Sequence, residues 1–222
     1  MKLYIYEHCP FCVRPRMVAS YKNIPLEVIN LAYDDEQSHF DLVDKKLVPI
    51  LACDNGKNML ESLDICHFLD RYDQKPVINS STLSGDILEI LKTLEIKSKY
   101  LSYPRISYHP MNKDVFPTQS AIDYFKGPKE EKMSINFDWA LRNSEQYLAE
   151  VENLLNQLES YIKYDFLSSN QMSYDDILWF PVLRLLTIAE DVVLLPKKIK
   201  NYLEKIAEIS KVKLYFSYQY PK

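Results

Sequence analysis

Glycine is nearly absent from this chain. Three occur in 222 residues, at Gly56, Gly85 and Gly127, and none lies in a glycine-rich run. Neither common phosphate-cradling loop can be built from them. Cysteine is scarce too, and four in a chain of this length do not make a disulfide scaffold. No charge of one sign dominates: the net charge is −4, which leaves no footprint for nucleic acid. The short basic run at Lys197, Lys198 and Lys200 reads as a solvated helix end. The longest apolar stretch, Ile177 to Ala189, is broken by Pro181 and Arg184 and is too short to span a bilayer. Met1-Lys2 leads through a few apolar residues to Glu7, so no signal-peptide core is present. These absences predict a cytoplasmic protein in reducing surroundings, with no nucleic-acid or membrane partner.

What is present begins with Cys9-Pro10-Phe11-Cys12. It follows the apolar run Leu3–Tyr6 and precedes a helix-like segment, Pro10–Lys22, with Pro10 suited to the first helical position. A helix amino terminus offers unpaired N–H groups and partial positive charge, which favour thiolate over thiol, and the thiolate is the reactive species. Cys9, preceding the helix, reads as the nucleophile. Cys12, inside the first turn, reads as the resolving thiol. As a staple, a disulfide closing so short a loop would stabilise by about 2 kcal/mol, against about 4.7 kcal/mol for a 100-residue loop. A zinc site would need a second pair. Cys53 and Cys66 are not spaced as one and read as buried small hydrophobes, so no metal is expected.

The helix dipole contributes about 0.3–1 kcal/mol at a surface and up to about 2 when partly buried. Stronger activation of Cys9 needs a cation or further donors. His8, Arg14 and Arg16 are the candidates; by default each reads as a solvated surface charge. Pro15, about one turn into the helix, predicts a kink.

The first 72 residues alternate between strand and helix signals: Lys2–Tyr6, Leu26–Asn30, Pro49–Cys53 and Asn58–Leu60 as strands, with helices at Pro10–Lys22, Ser62–Arg71 and a short one within Asp34–Asp44. Asp54-Asn55-Gly56-Lys57 marks a hairpin. Residues 73–83 combine a proline with a polar cluster and read as a linker. From 84 to 222 the apolar period is helical, most clearly at Leu148, Val151, Leu155, Leu158 and Ile162. The predicted architecture is therefore an α/β domain over 1–72, with a mixed sheet and helices packed on it, and an all-helical domain over 84–222.

Val48-Pro49 reads by itself as a strand start, and Glu61-Ser62 as an ordinary helix cap or, alternatively, as a place for a ligand carboxylate and ammonium group. Taken together, Cys9-Pro10-Phe11-Cys12 with its preceding His8, Val48-Pro49-Ile50-Leu51, Glu61-Ser62-Leu63-Asp64-Ile65, Tyr103-Pro104-Arg105 and Ser173–Arg184 resemble the glutaredoxin and glutathione-transferase branch of the thioredoxin fold. The likeness is greatest to long glutaredoxins that carry a glutathione-transferase-like helical domain.

That resemblance implies a four-stranded thioredoxin-like sheet and a glutathione-dependent thiol–disulfide oxidoreductase acting through Cys9 and Cys12. It implies a cis Val48–Pro49 bond. It also implies glutathione bound at Pro10, Phe11, Val48, Pro49, Glu61 and Ser62. Glutathione would serve as reductant, and the partners would be disulfide-containing or glutathionylated proteins and small mixed disulfides. The resemblance favours a monomer. Ser173 and Asp176 match a helix-capping box, a role their spacing also predicts. Phe11 departs from the tyrosine usual at that position. The alternatives are a glutathione transferase, against which Cys12 argues, and a non-catalytic glutathione-binding protein.

Overall fold

A computed structural model describes residues 1–216. In chain order the elements are β1 (Lys2–Ile5), α1 (Pro10–Tyr21), β2 (Glu27–Asn30), α2 (Glu36–Leu42), β3 (Ile50–Ala52), β4 (Asn58–Met59), α3 (Ser62–Asp70), α4 (Asp86–Lys97), α5 (Lys99–Ile106), α6 (Gln119–Met133), α7 (Phe137–Arg142), α8 (Glu145–Tyr161), α9 (Tyr174–Leu186) and α10 (Lys197–Ser210). Short 3-10 turns cover Pro110–Asn112 and Thr187–Ala189. The chain forms two compact units. One comprises Met1–Pro76 with Pro110–Ile135; the other comprises Val77–His109 with the described residues from Asn136 onward.

In the first unit the strands form one mixed sheet in the order β2-β1-β3-β4. β1 and β2 are parallel and joined through α1, while β3 is antiparallel to both β1 and β4. Leu3 and Ile5 alternate with Tyr4 and are fully buried, as are Val13, Met17 and Val18 of α1, Ile50 and Leu51 of β3, and Ile65 and Leu69 of α3. α1 packs on α3. α1 continues unbroken through the buried Pro15.

Residues 110–135 lie sequentially within the helical half, yet they pack with the sheet unit. The Tyr33 N–H donates to the Val115 carbonyl at 2.8 Å. Around Tyr33 gather the rings of Tyr6, Phe116 and Phe125, with centroids 4.7, 5.6 and 5.2 Å away.

The second unit is built on amphipathic stripes. Val151, Leu154, Leu155 and Leu158 are the buried face of α8, which packs on α4. α9 is buried on all sides and contains Pro181. Its start is a capping box. The Ser173 hydroxyl accepts from the Asp175 N–H at 3.2 Å, and the Asp176 carboxylate accepts from the N–H groups of Ser173 and Leu167, each at 2.9 Å. Asp175 accepts from the Ser81 hydroxyl and from the Thr82 N–H at 2.9 Å, tying that segment to α9. Arg105 is fully buried, with a bidentate pair of 2.8 Å bonds to Asp191 and further bonds to the Leu101 carbonyl and the Ser144 hydroxyl.

Candidate active site

The strand directions bring the sequence motifs to one place. Because β3 runs opposite to its neighbours, the carboxyl ends of β1, β2 and β4 and the amino end of β3 share one end of the sheet. Cys9 follows β1 there, Val48-Pro49 leads into β3 there, and Glu61-Ser62 follows β4 there. The Val48–Pro49 bond is cis.

The backbone of Cys9 is extended and caps α1, with Pro10 in the first turn. Its N–H donates to the Tyr6 carbonyl at 3.0 Å, and its carbonyl accepts from the Cys12 N–H at 3.0 Å. Both thiols are free. Cys9 is half-buried and Cys12 fully buried. The two titrate in opposite senses. The Cys12 thiol donates to Cys9 and, against the cost of burial, holds the Cys9 thiol below its ordinary value; the N–H groups of Cys12 and Phe11 and the charge of Arg14 add to this. Burial pushes the Cys12 thiol well up, and its hydrogen bond to Cys9 and the Cys9 charge push it further. The outer thiol is thus the more acidic of the pair, and the inner one is the donor that supports its charged form.

His8, Arg14 and Arg16 are not solvated surface charges. His8 is buried in the aromatic cluster, stacked on Phe116 with centroids 5.4 Å apart and edge-on to Phe125 at 5.4 Å. Its imidazole serves as a packing ring, which a sequence position beside the dithiol did not foretell. Arg16 is paired with Glu7 at 2.9 Å, and both are largely buried. Arg14 lies over the Phe11 ring, 4.6 Å from its centroid, and donates to the Ser62 hydroxyl at 3.2 Å. Phe11 itself is half-exposed.

Glu61 is exposed and has φ 64° and ψ 109°, a conformation rarely adopted outside glycine. It places the buried Ser62 at the head of α3, where the first-turn N–H groups have no intrahelical partner. The two further thiols part company. Cys66 is fully buried on the α1-facing side of α3, and burial pushes its thiol far up. Cys53 is only half-buried, contrary to expectation, because it follows β3 at the hairpin, where its N–H is bonded to the Lys57 carbonyl.

Beneath the dithiol lies a polar chain that no local pattern in the sequence marked. The buried His39 imidazole is bonded through Nδ1 to the Asp35 carbonyl at 2.6 Å, and burial lowers its pKa. The ring is therefore neutral, with Nδ1 donating and Nε2 accepting from the Tyr6 hydroxyl at 3.1 Å. Burial keeps Tyr6 protonated and pushes Tyr33 up to about 12. Among the described residues no group of three or more His, Cys, Asp or Glu is placed to hold a metal ion, and no helix is long and apolar enough to cross a membrane.

A mixed four-stranded sheet with a dithiol at a helix start, followed by a cis-proline strand, defines a thioredoxin-like redox domain of the glutathione-transferase type. Residues 3–76 match the family model for the glutathione S-transferase N-terminal domain, and residues 86–218 that for the glutaredoxin 2 C-terminal domain. Glutaredoxin 2 of Escherichia coli K12 is 34% identical over 96% of this chain and 97% of its own. A crystal structure of glutaredoxin 2 from Salmonella typhimurium in complex with glutathione superposes with a TM-score of 0.88 at 34% identity, covering 96% of each chain. A glutathione transferase from Phanerochaete chrysosporium shares the fold alone, with a TM-score of 0.71 at 11% identity over 94% of this chain and 96% of that one. The chain belongs to the glutaredoxin 2 family, enzymes that are glutathione-dependent thiol–disulfide oxidoreductases.

Proposed function

We propose that the chain reduces protein disulfides and glutathione mixed disulfides through Cys9 and Cys12. Glutathione is the reductant, held at Pro10, Phe11, Val48, Pro49, Glu61 and Ser62. The observation that carries this reading is the pair of free thiols at the start of α1, the outer half-buried and the inner buried, at the sheet end that also holds the cis Val48–Pro49 bond. The Cys9 thiolate attacks one sulfur of the substrate disulfide, a Cys9–substrate disulfide forms, and the departing sulfur leaves as a thiolate that takes a proton. With a glutathionylated substrate, Cys9 keeps the glutathione. A second glutathione thiolate then attacks that glutathione sulfur, which releases oxidised glutathione and regenerates Cys9.

With a protein disulfide, Cys12 resolves the intermediate. Two of the influences that hold Cys12 protonated, the Cys9 charge and the bond it donates to Cys9, vanish once Cys9 is covalently bonded. The inner thiol is then free to give its proton to the leaving thiolate as it attacks Cys9, and two glutathione molecules reduce the resulting Cys9–Cys12 disulfide to the dithiol, leaving as oxidised glutathione. Each displacement is favoured when the attacking thiol titrates near ambient pH.

In the bound tripeptide, the Val48 backbone pairs with the cysteinyl portion. The head of α3 takes the γ-glutamyl carboxylate, with Glu61 beside the ammonium group. The same reading divides the chain into a redox domain over 1–72, a linker over 73–83 and a helical domain over 84–222, which the family-model matches over 3–76 and 86–218 support. It takes the protein as a monomer working in the cytoplasm, where disulfides are otherwise scarce.

The test couples the protein to glutathione, glutathione reductase and NADPH. Cys9→Ser abolishes turnover of a small glutathione mixed disulfide. Cys12→Ser retains it and loses reduction of a protein disulfide. Wild-type rates in Cys9→Ser would refute the assignment. Conjugation of glutathione to an electrophile, without mixed-disulfide turnover, would make the protein a transferase, and binding without either would make it a binding module.

A further inference from the structure

Arg14 has no role in the steps above, yet it touches three parts of the site. Its Nη1 donates to the Ser62 hydroxyl at 3.2 Å, its guanidinium covers the face of Phe11, and its charge acts on Cys9. It stands on the second turn of α1, whereas Ser62 begins α3. A hydroxyl carries one proton. Because the Ser62 oxygen accepts from Arg14, its own hydrogen remains to be donated, and accepting from a cation strengthens it as a donor. The unpaired N–H groups of the first turn of α3 flank that hydrogen.

We propose that Arg14 is a positioning residue shared by two anions: it fixes Ser62 as a donor toward the carboxylate of the bound tripeptide and sets its charge beside the Cys9 thiolate. Recognition of the ligand and stability of the nucleophile thereby run through one guanidinium. The inference rests on the assignment of Ser62 to the γ-glutamyl end and of Cys9 as nucleophile. A planar guanidinium suits both tasks, since it stacks on an aromatic face while an edge nitrogen reaches a hydroxyl. Other titratable groups facing Cys9 are Cys12 on α1, Tyr6 after β1 and Tyr33 after β2. Both phenols stay neutral in the range where Cys9 titrates, so Arg14 supplies fixed positive charge there.

The experiment compares Arg14→Gln, Arg14→Lys and Ser62→Ala in the full-length reduced protein. Two quantities are measured: KM for the mixed disulfide of cysteine and glutathione, and the pH midpoint of Cys9 alkylation, with the modified residue identified by mass spectrometry. Arg14→Gln raises KM about tenfold, the scale of a hydrogen bond to a charged group, and moves the midpoint up. Ser62→Ala raises KM and leaves the midpoint alone. Arg14→Lys restores the midpoint and keeps KM raised, a split that a purely structural role would not produce. Arg14→Lys also decides the matter if Arg14→Gln does not fold. A folded Arg14→Gln protein with wild-type KM and midpoint would overturn the inference, as would Arg14→Lys with wild-type KM or with an upward-shifted midpoint. If Cys9→Ser were inactive in that case, the proposed function would stand and this inference alone would fall.

Discussion

Removing the Cys12 thiol perturbs the site at its most informative point. The Cys9 thiolate accepts from the Cys12 thiol and from the N–H groups of Cys12 and Phe11. Cys12→Ala deletes the first and leaves the other two. A hydrogen bond to a charged group is worth about 1.5–3 kcal/mol, and about 1.36 kcal/mol is a factor of ten. Well below the Cys9 midpoint, the ratio of thiolate to thiol therefore falls roughly tenfold to hundredfold. The less stabilised thiolate is also the better nucleophile, with a Brønsted slope of about 0.4–0.5. Part of the loss is recovered, and the variant reacts about threefold to tenfold more slowly at low pH. Above both midpoints the sign reverses, because every Cys9 is ionised and only nucleophilicity differs. There the variant reacts about threefold to tenfold faster. The two pH–rate profiles must cross. The assay is single-turnover reaction of reduced protein with a chromogenic disulfide across the pH range. Cys12→Ser, which keeps a donor, falls between the other two. Superimposable profiles for wild type and Cys12→Ala would show that the inner thiol does not support the outer one.

Two further substitutions test features around this centre. Glu61→Gly relieves a backbone conformation costing about 1–3 kcal/mol, offset by about 0.5–1 kcal/mol of added glycine freedom. Its urea midpoint should rise by the equivalent of roughly 1 kcal/mol while KM for a glutathionylated substrate increases; a protein neither more stable nor weaker in binding would contradict both roles. Asp176→Ala orphans the buried N–H groups of Leu167 and Ser173, at about 1–3 kcal/mol each. Ser173→Ala removes one cap, worth about 1 kcal/mol. Urea titration of the two should rank Asp176→Ala as clearly the more damaging, and equal losses would mean that the bond to Leu167 contributes nothing.

Much of this molecule is legible from local patterns. The dithiol at a helix start, the hairpin at Asn55-Gly56, the stripe of α8 and the Ser173–Asp176 box each depend on neighbours a few residues away, and the structure has all four. The shortfalls involve distance in sequence. His8 looked solvated because the rings that bury it, Phe116 and Phe125, lie more than a hundred positions along the chain. Arg14 looked solvated because its partner, Ser62, starts a different helix. Tyr6 and His39 carry no motif at all; they meet because the segment just after β1 is brought against α2, more than thirty positions along the chain. Cys53 was expected inside because cysteine usually is, but the strand ends one residue earlier.

The path of the polypeptide limits how the protein can be dissected. A fragment ending at Pro76 would keep the sulfurs of Cys9 and Cys12 and all four strands of the sheet, but it would lack Val115, Phe116 and Phe125. Tyr33 would forfeit its backbone partner, and the imidazole of His8 would lose two of the rings that enclose it. Truncation at the boundary between the two family matches therefore yields an unfinished redox half, wetted on the side next to its dithiol, rather than a minimal glutaredoxin.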